Sequence, residues 1–334
     1  MAKMYIDVFN GDADGIFSLI QLRKVNPVAV EQQRLVTGVK RDIKLMRNIS
    51  NADANQAHMT VLDVSFDKNE HEVARLLAQA NSVFYCDHHQ ANKLFAHECL
   101  TTVIDTNPAV CTALLINDYL QNAQPLWAVT AAYGDGLDAS ANQLADQLEL
   151  TDQQKAALKE LGVLINYNAY GHTVEDLYFA PDDLYTRLMA YDSPFAVIAD
   201  AASPYARLKS GYEADLTQAQ ETPIQSDIAC LLLVELPNAA WSNRISGTYG
   251  NILAAENRDK AIVIVSNNHD QSFTISLRAP KNNPYGAADI CNQFATGGGR
   301  EGAAGINALP ATELNRLVTL VSHTYANERY HGKT

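Results

Sequence analysis

What most constrains this sequence is that several short apolar runs each end in a carboxylate or an imidazole. Tyr5–Phe9 leads into Asn10-Gly11-Asp12-Ala13-Asp14-Gly15. Val61-Leu62 ends in Asp63, Val83–Cys86 ends in Asp87-His88-His89, and Ala131–Gly134 ends in Asp135-Gly136. A charge at the tip of a buried strand is costly unless something pairs with it. Several carboxylates converging with one or two imidazoles point to a pair of divalent cations. Two cations with a water between them point to hydrolysis of a phosphate ester.

The runs alternate with helical patterns. Strands are expected at Met4–Phe9, Arg34–Val36, Thr60–Asp63 and Ser82–Cys86, and helices at Ile16–Val25, Glu70–Ala80, Cys111–Gln121 and Trp127–Tyr133. Apolar strands alternating with helices imply a parallel sheet covered on both faces. Sites in such sheets form at the carboxyl ends of the strands. Each charged motif lies at such an end or in the helical segment that follows. Thr151–Asn168 and Pro181–Tyr191 also read as helices. The fold class is therefore α/β, with an N-terminal domain over 1–200. A polar, poorly periodic linker is expected over 201–225, holding Pro204, Gly211 and Pro223. A smaller α/β domain over 226–334 opens with Ile228–Leu236 and continues with strands at Ala261–Val265 and Ser272–Arg278. A helix at Asn283–Phe294, a glycine-rich turn from Gly297 to Ile306 and a closing helix at Ala311–Glu328 complete it.

At 334 residues the chain has room for two cores. No apolar run approaches the roughly 20 residues of a membrane span. Lys3 is followed directly by a strand pattern that Asp7 interrupts, unlike a signal peptide. Cys86, Cys99, Cys111, Cys230 and Cys291 form no CxxC pair, as expected of reduced cytoplasmic thiols. A net charge of −13 and the absence of any Lys/Arg run argue against tracking of a long nucleic acid. A nucleotide substrate would be short and held locally.

On an extended strand Asn10, Asp12 and Asp14 face one way, and carboxylates so close repel unless a cation intervenes. Taken alone, the Asp12–Gly15 segment is equally a polar turn before a helix, with Asp14 as the cap. Asp87-His88-His89 is more specific, because it supplies both a ligand and a partner to orient it. The expected arrangement places one ion on Asp14, Asp63, His88 and Asp135. A second ion sits on Asp12 and Asp63, with Asp63 bridging. Oxygen ligands with one or two imidazoles favour Mn²⁺, with Mg²⁺ as the alternative.

These residues resemble the DHH phosphoesterase superfamily. Asp12-Ala13-Asp14-Gly15 is similar to its first motif, Asp63 to its second, Asp87-His88-His89 to its third and Asp135 to its fourth. Gly297–Gly305 resembles the glycine-rich signature of the associated DHHA1 domain. The resemblance spans essentially the whole chain. It implies a DHH domain and a DHHA1 domain with an active cleft between them, Mn-dependent hydrolysis, and dimers in many members. Two departures stand out. Many relatives carry a His where this chain has Val8, so the first ion would lean on Asn10, water or substrate. The C-terminal signature commonly ends Gly-Gly-Gly-His, and here Arg300 replaces that His. Arginine binds phosphate bidentately or stacks on a base.

Asp87 and His89 are the expected catalytic residues, with His89 facing the substrate phosphate as donor or proton shuttle. On the substrate side, Gly297, Gly298 and Gly299 offer amides to an anion. Alone they read equally as a plain turn. Arg278 resembles the phosphate-reaching arginine of the superfamily, and Arg244 is a weaker candidate for stacking or phosphate contact. His58, His71, His97, His172, His269, His323 and His331 show no pattern and read as structural or surface residues. The expected function is hydrolysis of short 5′-phosphorylated oligoribonucleotides, dinucleotides such as linear diguanylate (pGpG) first. Pyrophosphate, polyphosphate or mononucleotide hydrolysis is the alternative within the superfamily. It calls for a dense basic cluster that the second domain lacks. A nucleotide-binding module without catalysis has only Val8 in its favour.

Overall fold

A computed structural model of the chain describes residues 3–268 and 270–326. It divides into two compact units, Met1–Gly211 and Tyr212–Thr334. The first carries strands β1 (Tyr5–Phe9), β2 (Gln33–Val36), β3 (His58–Leu62), β4 (Ser82–Asp87) and β5 (Leu100–Ile104). Its helices are α1 (Ala13–Val25), α2 (Asn51–Ala54), α3 (Phe66–Leu77), α4 (Thr112–Tyr119), α5 (Pro125–Gly134), α6 (Asp138–Gln147), α7 (Asp152–Asn168), α8 (Pro181–Met189) and α9 (Pro194–Ala199). The strands form one wholly parallel sheet in the order β2-β1-β3-β4-β5. Strand β5 has no counterpart in the expected elements. It is an edge strand, only partly buried, and its Thr101-Thr102 pair breaks the apolar run.

Alternation along the strands builds two faces. Ile6 and Val8 of β1, Met59 and Val61 of β3, and Val83 and Tyr85 of β4 share a core with Phe66, Val73, Leu76 and Leu77 of α3. Asp7 points to the other face, where α1 lies. Helix α1 is buried along almost its whole length, with α4, α5, α7 and α8 packed around it. A helix enclosed on all sides carries no amphipathic stripe. Its buried arginine, Arg23, donates from Nε to Asp7 Oδ2 (2.9 Å) and from Nη2 to Asp7 Oδ1 and to Thr60 Oγ1 (3.1 Å). Gln33 Nε2 also donates to Asp7 Oδ2 (2.7 Å). The Asp7 that interrupts the first strand pattern is thus one half of a buried, hydrogen-bonded ion pair.

The segment 201–225, where the linker is expected, holds the division between the units, but it is largely helical rather than irregular. Residues Pro204–Glu221 form helix α10, and the division between the units falls inside it. Pro204 stands in the first turn, where a proline's missing N–H costs nothing, and Pro223 follows the helix end. Residues that break a helix in its interior here bound one.

The second unit carries β6 (Ile224–Ile228), β7 (Leu231–Leu236), α11 (Ala240–Glu256), β8 (Ala261–Asn267), β9 (Ser272–Arg278), α12 (Ala287–Cys291), β10 (Gly297–Arg300), β11 (Ala303–Pro310) and α13 (Leu314–Ala326). Its sheet runs β10-β11-β9-β8-β7-β6, parallel only between β7 and β8. Leu231, Val263, Val265, Ile275, Leu277, Ile306, Leu317 and Val321 form its core. The helix expected at Asn283–Phe294 is confined to Ala287–Cys291, because Pro284 and a left-handed Gly286 (φ 91°) precede it. The closing helix expected to Glu328 is described only as far as Ala326. Residues 327 and 328, His269 and His331 lie outside the described residues. No described helix is long and apolar enough to cross a membrane. None of the five cysteines is in a disulfide.

Removing one partner of the Arg23–Asp7 pair strands a buried charge. Arg23→Ala is expected to cost about 3–5 kcal/mol, whereas Arg23→Met combined with Asp7→Leu is near neutral. Urea unfolding of both variants checks this. Equal losses in the two would contradict it.

Candidate metal centre

The carboxyl ends of β1, β3 and β4 bring the first three motifs together. Asp12, not Asp14, caps α1: its Oδ1 accepts from Gly15 N (3.1 Å). That leaves Asp14 inside the first turn, where it caps a different helix. Asp14 Oδ2 accepts from Thr112 N (2.8 Å) and Oδ1 from Ala113 N (2.7 Å), the first amides of α4. Asp63 follows β3 with a left-handed backbone, φ 56°. Asp and Asn tolerate that region better than other side-chain-bearing residues. Strain of this kind concentrates where a side chain must be aimed.

His88 and His89 are adjacent in sequence and differently held. The His88 ring meets the Val110 carbonyl at Nδ1 (3.0 Å). A carbonyl can only accept, so Nδ1 carries a proton, and in the neutral ring it is Nε2 that presents a lone pair. That Nε2 lies 3.4 Å from Asp63 Oδ1 and 3.9 Å from Asp14 Oδ2. His89 Nδ1 instead lies 2.7 Å from Asp87 Oδ1. Asp87, which is fully buried, therefore orients His89, and the orienting partner of His88 is a backbone carbonyl.

Asp135 enters from the C-terminal end of α5. Asp14, His88 and Asp135 each place a ligand atom within 4.8 Å of the others, and so do Asp63, His88 and His89. The two triads share His88. Together they bring in all four residues expected to hold one ion, namely Asp14, Asp63, His88 and Asp135. Three carboxylates and two imidazoles gathered this way fit a hard or borderline divalent cation.

Charge crowding shows in the proton affinities. Burial, together with the charges of Asp12, Asp14, Asp87 and Asp135, holds the Asp63 carboxyl well above the usual range. Burial pushes Asp135 up to about 6; the Lys40 ammonium opposes this, and Asp14 and Asp12 add to it. For His89, burial favours the neutral ring, but the bond to Asp87 and its charge prevail and raise the imidazole.

The second expected ion meets a different arrangement. Lys40 Nζ lies 2.5 Å from Asp12 Oδ2, 3.1 Å from Asn166 Oδ1 and 3.8 Å from Asp135 Oδ1. Burial disfavours that ammonium, yet Asp12 outweighs it and the amine stays protonated well above its usual range. The same contact more than offsets burial for Asp12, whose carboxyl lies below its usual range. Asn10, considered above as a ligand, donates instead to the Lys40 carbonyl (3.3 Å) and accepts from Asp12 N (3.3 Å). Lys40 was not among the sequence candidates. One signal for it was available, because it follows the carboxyl end of β2, where a parallel sheet gathers its site. The run Thr37-Gly38-Val39-Lys40 carries no acid or histidine to mark it.

In the second unit, the expected glycine-rich turn is a hairpin. Gly297–Arg300 form the edge strand β10, paired with β11. Gly299 has φ 146°, and a Cβ there would lie 2.4 Å from Ala304 Cα, so this position requires glycine for backbone reasons alone. Arg300 ends β10 exposed. Arg278 is held by Asn251 Oδ1 (2.6 Å), Ser276 Oγ (2.9 Å) and the Gly247 and Leu277 carbonyls (3.1 and 3.2 Å). Arg244 is corrected: it is buried, donating from Nε and Nη2 to Asp215 (2.8 and 3.2 Å). A guanidinium engaged by a buried carboxylate is neither a surface charge nor an open stacking platform.

The raised Asp135 sets a pH dependence for the metal-free protein. Its folded pKa of about 6 exceeds the unfolded value. This group's stabilisation is therefore complete below about pH 4 and lost as pH rises through about 6. Asp135→Asn is expected to flatten that fall and to stabilise the metal-free chain at pH 7.5 by about 3 kcal/mol. Urea unfolding in chelator at pH 4.5 and 7.5 reads it; a variant no more stable than its parent at pH 7.5 would contradict it.

No protein-family model and no curated protein matches the sequence. Solved structures do. RecJ of Thermus thermophilus, in complex with Mn²⁺, matches with TM-score 0.61 and 16% identity over 97% of this chain and 52% of that one. The present chain thus spans about half of RecJ. A pGpG-specific phosphodiesterase, PggH of Vibrio cholerae, matches with TM-score 0.56 and 13% identity over 97% of this chain and 99% of that one. The DHH domain of a member of the s1p family of ribosomal proteins matches with TM-score 0.59 and 12% identity over 96% and 86%. Together with the parallel sheet and the second mixed sheet, these likenesses show that the chain has the fold of these proteins, a DHH domain among them.

Proposed function

We propose that the protein is a metal-dependent phosphodiesterase that hydrolyses short 5′-phosphorylated oligoribonucleotides, with diribonucleotides such as linear diguanylate as preferred substrates. The observation that carries the reading is the inward-facing Nε2 of His88, set among Asp14, Asp63 and Asp135 by the Val110 carbonyl. Asp14, Asp63, His88 and Asp135 would hold the ion, and their donor set favours Mn²⁺. A divalent cation in that place supplies Lewis-acid activation of water and of a phosphoryl oxygen. The chain's own groups do the rest. Asp87 fixes the His89 ring through Nδ1 and favours its protonated form, so Nε2 can give a proton to the leaving oxygen. Burial of Asp14 and Asp63 keeps competing water away from their oxygens.

Three points support a short nucleotide. The net charge of −13 gives no electrostatic track for a long strand. The fold matches that of a pGpG-specific phosphodiesterase over nearly the full length of both chains. The second unit presents Arg300 in the open at the end of an edge strand, and arginine suits a terminal phosphate. Action in the cytoplasm belongs to the same proposal.

The test offers pGpG, other 5′-phosphorylated diribonucleotides, a longer oligoribonucleotide and pyrophosphate in equal amounts with Mn²⁺. Mononucleotide release from the dinucleotides is expected to be fastest. Preference for the long strand or for pyrophosphate would overturn the substrate, and no Mn²⁺-dependent turnover would overturn the activity. Asp63→Asn keeps a residue suited to the left-handed backbone, so its expected loss of at least about a hundredfold in activity reports the ligand rather than the fold. His89→Ala is expected to lower kcat by about 10²–10⁴-fold with Mn²⁺ binding retained. Loss of Mn²⁺ binding in that variant would make His89 a ligand.

A further inference from the structure

Lys40 is built into the site more thoroughly than a surface lysine needs to be. Its backbone N–H donates to the Ala169 carbonyl (3.0 Å), and its own carbonyl accepts from Asn10. The preceding loop is pressed against the first motif. A Cβ on Gly11 would fall 2.0 Å from the Gly38 carbonyl oxygen, so only glycine lets the two segments meet. The ammonium then finds three oxygens, from Asp12, Asn166 and Asp135, with the Tyr170 ring 5.5 Å away. Oxygens around a fixed positive charge are what a cation site offers.

The neighbouring groups leave little for a second metal ion. A metal at Asp12 would share Oδ2 with a like-charged group, since Lys40 Nζ lies 2.5 Å from that oxygen, while the Gly15 amide binds Oδ1. Asn10 uses its side-chain oxygen on the Asp12 amide and its nitrogen on Lys40. Val8 is fully buried in the apolar core with Ile6, Val36 and Val61, so β1 adds no ligand from that position. We propose that the Lys40 ammonium stands in the place of a second divalent ion, so that the chain binds a single ion on Asp14, Asp63, His88 and Asp135. This rests on the metal-centre reading above and goes beyond it in number and in means. A lysine arrives with the chain and cannot dissociate, so the Asp12 side is neutralised at any metal concentration. Metal activation would then follow a single binding event.

Equilibrium dialysis against Mn²⁺ with elemental analysis counts the ions, and electron paramagnetic resonance separates an isolated Mn²⁺ from an exchange-coupled pair. One ion per chain with an isolated-ion spectrum is expected for the unaltered protein and for Lys40→Arg. Lys40→Ala is expected to take up a second ion and to show coupling. Two coupled ions in the unaltered protein would overturn the inference and leave the phosphodiesterase reading standing. A Lys40→Ala protein that folds yet stays at one ion would also overturn it, since the vacated place would not be a cation's place. If Lys40→Ala fails to fold, the count on the unaltered chain still decides. Absence of any Mn²⁺ binding would overturn both readings together.

Discussion

Like-charge crowding at one end of a parallel sheet governs the first unit. Asp12, Asp14, Asp63, Asp87 and Asp135 converge there, and five carboxylates that close cannot all stay ionised without compensation. The fold answers each differently. Asp12 is met by the Lys40 ammonium, Asp14 by the first two amides of α4, and Asp87 by the His89 ring. Asp63 and Asp135 have weaker support: Asp63 accepts a long bond from Thr112 Oγ1 (3.4 Å), and Asp135 lies 3.8 Å from Lys40. Those two carry the raised proton affinities. They are therefore the groups with most to gain from a divalent cation, and His88 Nε2 sits beside Asp63.

The sheet was legible because its physics is written twice in the sequence. Buried parallel strands need continuous apolar runs, and a site at their carboxyl ends needs polar residues immediately after them. Val61-Leu62 with Asp63 and Val83–Cys86 with Asp87 satisfy both at once, and Tyr5–Phe9, interrupted only by Asp7, runs directly into Asn10 and on to Asp12. Strand β5 fails the first, since it lies at the edge with Thr101 and Thr102 in its middle, and the Asp105 that follows it belongs to none of the clustered acids. Helix α10 was hidden for the opposite reason. Pro204 and Gly211 count as breakers when read by composition, but a proline in the first turn starts a helix, and position within the element decides which meaning applies.

The site was legible in its acids and imidazoles and not in what holds them. Asp14, Asp63, His88 and Asp135 follow from residue type and place. Three controlling features do not. The left-handed backbone at Asp63, the Val110 carbonyl behind His88 and the Lys40 ammonium against Asp12 are all set by tertiary contacts between segments distant in the chain. Arg244 shows the same limit from the other side. Its sequence context gave no sign of Asp215, and a buried partner converts an apparent phosphate-binding arginine into a structural one.

Adjacent His88 and His89 illustrate how such contacts separate chemistry that the sequence writes as a pair. Both rings belong to one motif and their centroids lie 4.6 Å apart. A carbonyl acceptor at Nδ1 places a proton there on His88 and turns Nε2 toward the acidic cluster, the orientation a metal ligand requires. A buried carboxylate at Nδ1 acts differently on His89, favouring the protonated ring that a proton donor requires. Exchanging the two partners would exchange the two roles, because nothing in the imidazoles themselves distinguishes them. The division of labour proposed for the two rings therefore rests on Val110 and Asp87 as much as on the histidines they hold.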